Sequence, residues 1–469
     1  MEKPATEYIF IGFLALLAWL PLPFGSNRPW AMALMEIWAC ALMMIWLWHY
    51  FREALSPGVV FLKARPALVL LFLWLAYSLI QFLPLPYSWV SSISLMSAKM
   101  HALAGDAGWI TLSVDPHDSL SSWLESLAYV LIFCLSLLLV NTGERLKKLA
   151  YVIIYSGLFQ AFYGAFMTLS GFEFGFFLKK FSYMGNATGT FVNRNHLAGY
   201  LELCLSVGIG LMMASLGGKT AFTWRQKLRN FASLLLGKKL RLRLYLAIMV
   251  IALVLTHSRM GNSAFFSSMI AAGIIGLMLS RHAPRSTVIL LASLVVIDIF
   301  IVGTWFGMEK VVDRIENTSA VHDADRVNVS ENTVEIWKDY LLTGSGGGSF
   351  YTIFPKYRAA DVENYYDHAH DDYAELGSEY GVIGMLLLGA LVVSSFFASL
   401  FAQYRRRNPL MRGMAFSSTM GIIALMMHSF VDFNLHIPAN AAIFMVILSL
   451  SWISLHLKSE LESERSETV

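Results

Sequence analysis

Charged residues are scarce in this chain of 469 residues. Asp, Glu, Lys and Arg make up 14% of it, whereas soluble proteins carry about 25%. Hydrophobic residues reach 57%, and the mean hydropathy is +0.57. A soluble core cannot absorb this much apolar surface, but a protein whose outside faces lipid can. The composition therefore excludes a disordered chain, a disulfide-stabilised scaffold and an ordinary cytosolic enzyme.

Cysteine is also scarce. The three cysteines, Cys40, Cys134 and Cys204, all lie in apolar runs rather than in connections that could host a disulfide. We expect no disulfide and no thiolate metal site, because both need cysteines that can reach one another. We favour the interpretation that all three cysteines are small apolar residues of the core.

Long apolar runs dominate the sequence. A run of about 18 or more apolar residues is long enough to form a membrane helix. About twelve runs meet this length, or nearly so, and we predict an all-α polytopic membrane protein. The predicted spans are 8–24, 30–50, 66–83, 121–140, 148–170, 196–216, 244–257, 262–280, 286–305, 380–402, 410–430 and 438–456.

Basic residues between the spans predict the orientation. The connection 217–243 carries eight Lys and Arg and no acidic residue, so we expect it and both termini in the cytoplasm. Such loops usually contact anionic lipid, which makes membrane lipid, not nucleic acid, the expected partner. The chain then divides into helices one to nine (1–303), a large external loop (304–379), helices ten to twelve (380–457) and a cytoplasmic tail (458–469).

The large external loop is expected to carry function. Between residues 306 and 378 it holds 14 acidic and 6 basic residues, and it is too long to be a mere connection. Residues 325–342 repeat apolar side chains at helical spacing. We predict an amphipathic helix there, lying on the outer membrane surface.

Polar and charged side chains gather in the predicted external connections. Arg259 lies in a very short turn between two membrane helices, where a charge is costly unless it is paired or reaches the interface. Two interpretations stay open for it: snorkelling, or anion binding through the planar guanidinium that suits phosphate. The other candidate residues are Asn193, Asn195, His196, His257, Arg326, Arg358, His368, His370 and Asp371.

The run from His368 to Asp372 has three interpretations. Histidines two apart in an extended segment point the same way, and with Asp372 they could hold a divalent metal. Alternatively, a neutral imidazole takes a proton from a sugar hydroxyl while a neighbouring carboxylate orients it. Finally, Asp371 or Asp372 could cap the next helix. The general-base interpretation is favoured.

A glycine-rich stretch runs from Gly344 to Ser349. It lacks the Lys-Ser/Thr that completes a nucleotide-binding P-loop. We expect a flexible turn that lets the backbone approach a ligand or the membrane.

Taken together, these motifs resemble the O-antigen ligase and Wzy-type polymerase superfamily of multispanning bacterial inner-membrane glycosyltransferases. The resemblance covers residues 185–430. Its most specific part is His370-Asp371, nine residues, Gly381, two residues and Gly384. The other matching pieces are Phe191–Tyr200, Thr256–Arg259, Arg326 with Trp337, Gly344–Gly346 with Phe350, and Tyr357-Arg358.

The resemblance implies the chemistry. The donor would be an oligosaccharide on undecaprenyl pyrophosphate, the acceptor a sugar hydroxyl, and neither nucleotide, metal nor other cofactor would be needed. Arg259 and Arg326 would bind the pyrophosphate, and His370 would position or deprotonate the acceptor. Asp371 stands where the family usually has Asn, Ser or Gln, a change that would raise the basicity of His370.

Two subclasses fit the resemblance. A polymerase joining repeat units is favoured, because His428–Asn434 and Ile437–Asn440 resemble chains of exopolysaccharide pathways. The alternative is a ligase that joins the glycan to lipid A-core. A flippase or transporter is a second alternative, but transporters put ionisable groups near mid-membrane. A chain-length regulator and a flippase of the same pathway are the expected protein partners.

Overall fold

The computed structural model describes residues 4–105, 108–175, 178–215, 238–279, 320–360, 362 and 364–458. Within these ranges the chain is helical apart from connections and two short antiparallel strand pairs. These pair β1 (Leu85–Pro86) with β2 (Trp109–Ile110), and β3 (Phe174–Gly175) with β4 (Leu178–Lys179).

Sixteen α-helices can be described. In chain order they are α1 (Pro4–Trp19), α2 (Pro29–Phe51), α3 (Val59–Lys63), α4 (Arg65–Phe82), α5 (Tyr87–Ile93), α6 (Leu95–Ala104), α7 (Pro116–Leu139), α8 (Gly143–Ser170), α9 (Arg194–Ala214), α10 (Lys238–Leu255), α11 (Arg259–Leu279), α12 (Ala320–Asp339), α13 (Phe350–Tyr357), α14 (Asp372–Arg405), α15 (Pro409–His428) and α16 (Pro438–His456). Short 3-10 turns cover Phe24–Ser26 and Asn434–His436.

Nine of the described helices are long and apolar enough to cross a membrane: α2, α4, α7, α8, α9, α11, α14, α15 and α16. The predicted fold class, an all-α polytopic membrane protein, is confirmed. Of the remaining predicted spans, the first coincides with the shorter α1 and the seventh with α10, whose first turns are basic. The ninth predicted span, 286–305, lies outside the described residues, so the total of twelve stays a prediction.

Successive long helices run in opposite directions, so their ends collect at two faces of the bundle. At one face the Asp372 amide donates to the Ser429 carbonyl at 2.9 Å, joining the start of α14 to the end of α15. At the other face Arg145 pairs with Glu7 at 3.1 Å, joining the starts of α8 and α1. We call the first face the site end.

A small apolar cluster of its own covers the site end. Val329 and Ile336 of α12 pack with Phe350 and Phe354 of α13. Trp337 lies against α14, where a Cβ on Gly377 would come within 2.6 Å of the indole. The helix expected within 325–342 is therefore present, but its apolar face is covered by protein. The apolar face thus packs on protein, and the position of the helix at the outer membrane surface stays a prediction.

Candidate active site at the site end

The site begins where α14 begins. Asp371 is the N-cap residue of α14, and its Oδ1 accepts hydrogen bonds from the backbone amides of Tyr373 (3.0 Å) and Ala374 (3.1 Å). Its other oxygen accepts from the Ser330 hydroxyl at 3.0 Å. Both oxygens are therefore engaged in holding α14 and α12. The expectation that Asp371 tunes His370 finds no support in these contacts.

The carboxylate beside His370 comes instead from the connection between α15 and α16. His370 Nδ1 lies 3.2 Å from Asp432 Oδ1. The Asp432 side chain is fully buried, whereas that of His370 keeps 11% of its surface exposed. If Nδ1 carries the proton that bonds to Asp432, Nε2 is the ring nitrogen that can accept a proton from a substrate.

Asp432 stays ionised in this setting. Burial by itself would raise its pKa, but the hydrogen bond from His370 and the charges of His196 and His370 hold the pKa well below its usual range. His370 itself has a left-handed backbone, with φ of 53°. A non-glycine residue holds that conformation only where its surroundings enforce it, and such residues concentrate at active sites.

Phe433 lies at the centre of three histidines. Its ring stacks on His368 at 4.3 Å between ring centroids and meets His370 edge-on at 4.7 Å. His196, in the first turn of α9, meets the same ring edge-on at 4.6 Å. His196 Nε2 also lies 4.0 Å from Asp432. Residues from α9, the segment that precedes α14 and the α15–α16 connection thus meet at one aromatic ring.

A second set of histidines and carboxylates is joined to this group through His368. His368 Nδ1 is 2.6 Å from Glu375 Oε1, and His436 Nε2 is 3.4 Å from the same oxygen. His436 Nδ1 bonds to Asp372 at 2.9 Å. Burial would lower the pKa of His436, but Glu375 and Asp372 raise it to about 10. Burial likewise opposes protonation of His368, yet Glu375 raises its pKa.

This second set bears on the metal interpretation. Among the described residues, His368, Glu375 and His436 offer ligand atoms within 4.8 Å of one another. The set expected from sequence is different, because His370 bonds to Asp432 and Asp372 reaches the cluster only through His436. The three residues brought together are either a hydrogen-bonded ionic network or a metal site, and their donor types suit both.

The predicted pyrophosphate-binding arginines come from two other elements. Arg326, on α12, lies within electrostatic reach of Tyr183. Burial raises the pKa of Tyr183, and the positive charge of Arg326 opposes the shift while Asp432 adds to it. Arg194 lies 5.7 Å from the centre of the same ring. Tyr183 thus lies within electrostatic reach of both Arg326 and Asp432.

Asn186 connects the turn before α11 to this group. Its Oδ1 accepts from Arg194 at 3.1 Å and lies 2.9 Å from His257 Nδ1. His257 also has a left-handed backbone, with φ of 53°. Arg259 follows as the first residue of α11, with an exposed side chain. The short turn therefore holds Arg259 at the site end.

The remaining predicted residues have more local contacts. Asn193 caps α9 by accepting from the Asn195 amide at 2.9 Å, and its own amide lies 3.4 Å from His196. Arg358 donates through Nε to the Val362 carbonyl at 2.7 Å, within the connection between α13 and α14.

The sequence interpretation overlooked several site residues: Tyr183, Asn186, Glu375, Asp432, Phe433 and His436. A usable signal existed for Asp432. It is an acidic residue in the short connection between two membrane helices, where an ionisable group is costly without a partner. Tyr183, Asn186 and Phe433 carry no such signal, because their role depends on neighbours distant in sequence.

Comparison with known families supports the assignment made from motifs. Residues 244–389 match the Wzy_C family model, described as O-antigen ligase. The matched range contains Arg259, Arg326 and the His370 to Gly384 spacing, so the predicted superfamily is confirmed. A search of curated proteins gave no match.

Proposed function

Since residues 244–389 match the family model described as O-antigen ligase, we propose that the chain transfers an oligosaccharide from a polyprenyl pyrophosphate to a sugar hydroxyl. The reaction takes place at the outer face of the bacterial inner membrane, which the site end occupies. The observation that carries this proposal is the pairing of His370 with the buried Asp432, beside Arg326 and Tyr183.

His370 acts as the general base. Its Nε2 takes the proton of the acceptor hydroxyl as that oxygen forms a bond to the anomeric carbon of the donor. The bond from that carbon to the phosphate oxygen breaks, and its electrons leave with the pyrophosphate. Asp432 holds the imidazole by Nδ1 and stabilises the imidazolium that forms, as a buried carboxylate does beside a catalytic histidine.

Arg259 and Arg326 stabilise the leaving group. Two guanidinium groups can hold the oxygens of a diphosphate bidentately and neutralise charge as the bond to the sugar breaks. In other pyrophosphate enzymes a divalent cation provides this charge neutralisation. We therefore propose a metal-independent transfer, with undecaprenyl as the polyprenyl carrier.

The identity of the acceptor distinguishes a polymerase from a ligase, and we favour the polymerase. The purified protein should be incubated with its lipid-linked repeat unit, with and without lipid A-core. A ladder of products without core identifies a polymerase, and a single adduct on core identifies a ligase. Movement of intact lipid-linked glycan across vesicles without any new glycosidic bond would contradict both.

A pair of variants tests the base. His370→Ala should abolish transfer, because removing a general base typically costs about 10²–10⁴ in rate. His368→Ala should only reduce transfer, since His368 bonds to Glu375 and not to the Asp432 pair. A fully active His370→Ala protein would overturn the mechanism. The candidates for the catalytic group would then be Asn193, Asn195 and His196.

Chelation tests the metal interpretation. Transfer by the purified protein should survive exhaustive dialysis against a chelator, because Arg259 and Arg326 supply the charge. Loss of activity that one divalent cation restores would contradict this proposal. In that case Glu375→Gln and His436→Ala should weaken the binding of that cation, measured by calorimetry, whereas Asp371→Asn should not.

A further inference from the structure

Two exposed tyrosines lie in α13 and in the connection that leads from α13 to the proposed base. Tyr365 is 68% exposed and Tyr351 is 52% exposed. Their rings form an edge-to-face pair with centroids 5.5 Å apart. Exposed aromatic rings of this size are costly in water, so a pair held together at the surface indicates a contact surface. We call Tyr351 and Tyr365 the tyrosine pair.

Both tyrosines adjoin residues that pack in the site-end cluster. Tyr351 belongs to α13, whose neighbouring residues Phe350 and Phe354 are buried in the site-end cluster. Tyr365 precedes Tyr366, which packs on that cluster and meets the His370 ring edge-on at 5.8 Å. Tyr366, the chain neighbour of Tyr365, thus connects the tyrosine pair to the proposed base.

The surroundings of the pair favour a sugar over lipid. Asn364 precedes Tyr365, and Asp367 follows Tyr366. The side chains of Asn364 and Asp367 are both exposed. Amide and carboxylate groups beside an aromatic ring suit the hydroxyls and the apolar ring face of a pyranose. A surface that enters the membrane interface would more often be flanked by apolar or basic residues.

Charge favours the acceptor over the leaving group. Residues 361–372 contain five acidic residues and no Lys or Arg. The exposed Asp367, two residues after Tyr365, would repel a pyrophosphate, which the arginines bind instead. We therefore propose that the tyrosine pair binds the acceptor glycan and presents its hydroxyl to His370. This inference rests on the proposed function and adds the acceptor site to it.

The experiment compares Tyr351→Ala and Tyr365→Ala with the wild-type full-length protein. The KM for the acceptor should rise roughly tenfold in each, since one aromatic contact is worth about one factor of ten. The KM for the lipid-linked donor should not change. Tyr351→Phe and Tyr365→Phe, which keep the ring, should stay within about twofold of wild type.

The matched control is Tyr87→Ala. Tyr87 is 40% exposed and begins α5 on the same side of the bundle, in a segment without His370. Its loss should leave both KM values unchanged. Equal effects of Tyr87→Ala and Tyr365→Ala, or reduced membrane insertion of the Tyr351 and Tyr365 variants, would overturn the inference in favour of an aromatic interface belt.

Binding can be measured without catalysis. Saturation-transfer NMR with the released repeat-unit oligosaccharide, and in a second arm with the lipid A-core oligosaccharide, shows which glycan contacts the protein. Signal that weakens in the alanine variants supports the tyrosine pair, and signal that is equal in all variants contradicts it. If the wild-type protein forms no product at all, the proposed function fails, while this binding result still decides the inference.

Discussion

The reactivity proposed for His370 depends on its partner more than on its residue type. His370 is partly exposed and lies 3.2 Å from the fully buried carboxylate of Asp432, at the spacing to Gly381 and Gly384 that the family motif requires. The low pKa of Asp432 also links it to stability. Because its folded pKa lies below the unfolded value of about 3.9, the stabilisation is present above that pH and is lost as the pH falls further.

We expect Asp432→Asn to reduce transfer, because an amide does not stabilise the imidazolium that forms as His370 takes the proton. The measurement is kcat/KM of the purified variant. Asp371→Asn is the control, since Asn also caps helices, and its kcat/KM should match wild type. A loss of activity in Asp371→Asn and none in Asp432→Asn would reverse the assignment.

Arg259→Lys and Arg326→Lys should each lose most of the transfer activity while the protein still inserts. Lysine keeps the charge but loses the bidentate fork, which matters at a diphosphate. Arg65→Lys is the control, because Arg65 also begins a membrane helix with an exposed side chain but does so at the opposite face. Near-normal turnover in both site variants would mean that the two arginines only snorkel.

The glycine spacing of the family motif has its physical reason in a break within α14. Gly381 has φ of 61° and ψ of −171° inside that helix. A Cβ there would come within 2.3 Å of the Leu342 carbonyl oxygen. The Gly344–Ser349 stretch packs into this break, with the Gly346 amide donating to the Glu379 carbonyl at 2.9 Å. The expected flexible turn toward a ligand is therefore wrong, because Thr343, Ser345 and Ser349 are buried.

Gly381→Ala should destabilise the protein by on the order of 2 kcal/mol or more. The substitution combines a backbone conformation that L-residues rarely adopt with a collision against backbone. Gly389→Ala lies in the same helix with nothing within 4 Å of its Cβ position, and it should be neutral or slightly stabilising. Thermal unfolding in detergent measures both. Equal melting temperatures would show that α14 tolerates a regular helix at Gly381.

At the scale of the whole molecule, the alternating helices bring distant segments to one face. Five segments meet at the site end. They are the segment near Tyr183, the N-terminal end of α9, the turn before α11, the helix α12, and the α15–α16 connection. Segments between β1 and α7 join them there, since Thr352 donates to Asp115 at 2.8 Å. Because one site is assembled from these helix ends, all of them must lie on one side of the membrane.

Reporter fusions test that requirement. A reporter after Lys239 should be cytoplasmic, because the connection 217–243 is strongly basic, and one after Val362 should be external. A fusion after Thr142 gives a matched cytoplasmic control, since the α7–α8 connection lies at the face opposite the site end. External signal from Lys239 together with cytoplasmic signal from Val362 would invert the topology and remove the catalytic proposal.

Apolar runs, basic connections and motif spacing were enough to predict a helical membrane protein, most of its spans and its superfamily. Those properties follow from local sequence, because a segment must be apolar and helical along its length to cross the bilayer. The partners of each charged side chain could not be predicted in this way. Asp432 lies 62 residues from His370 along the chain, Glu375 binds His368 and His436 together, and Tyr183 lies within electrostatic reach of Arg326. Such contacts depend on how the helices pack against one another, because a hydrogen bond or ion pair needs two groups within a few ångströms.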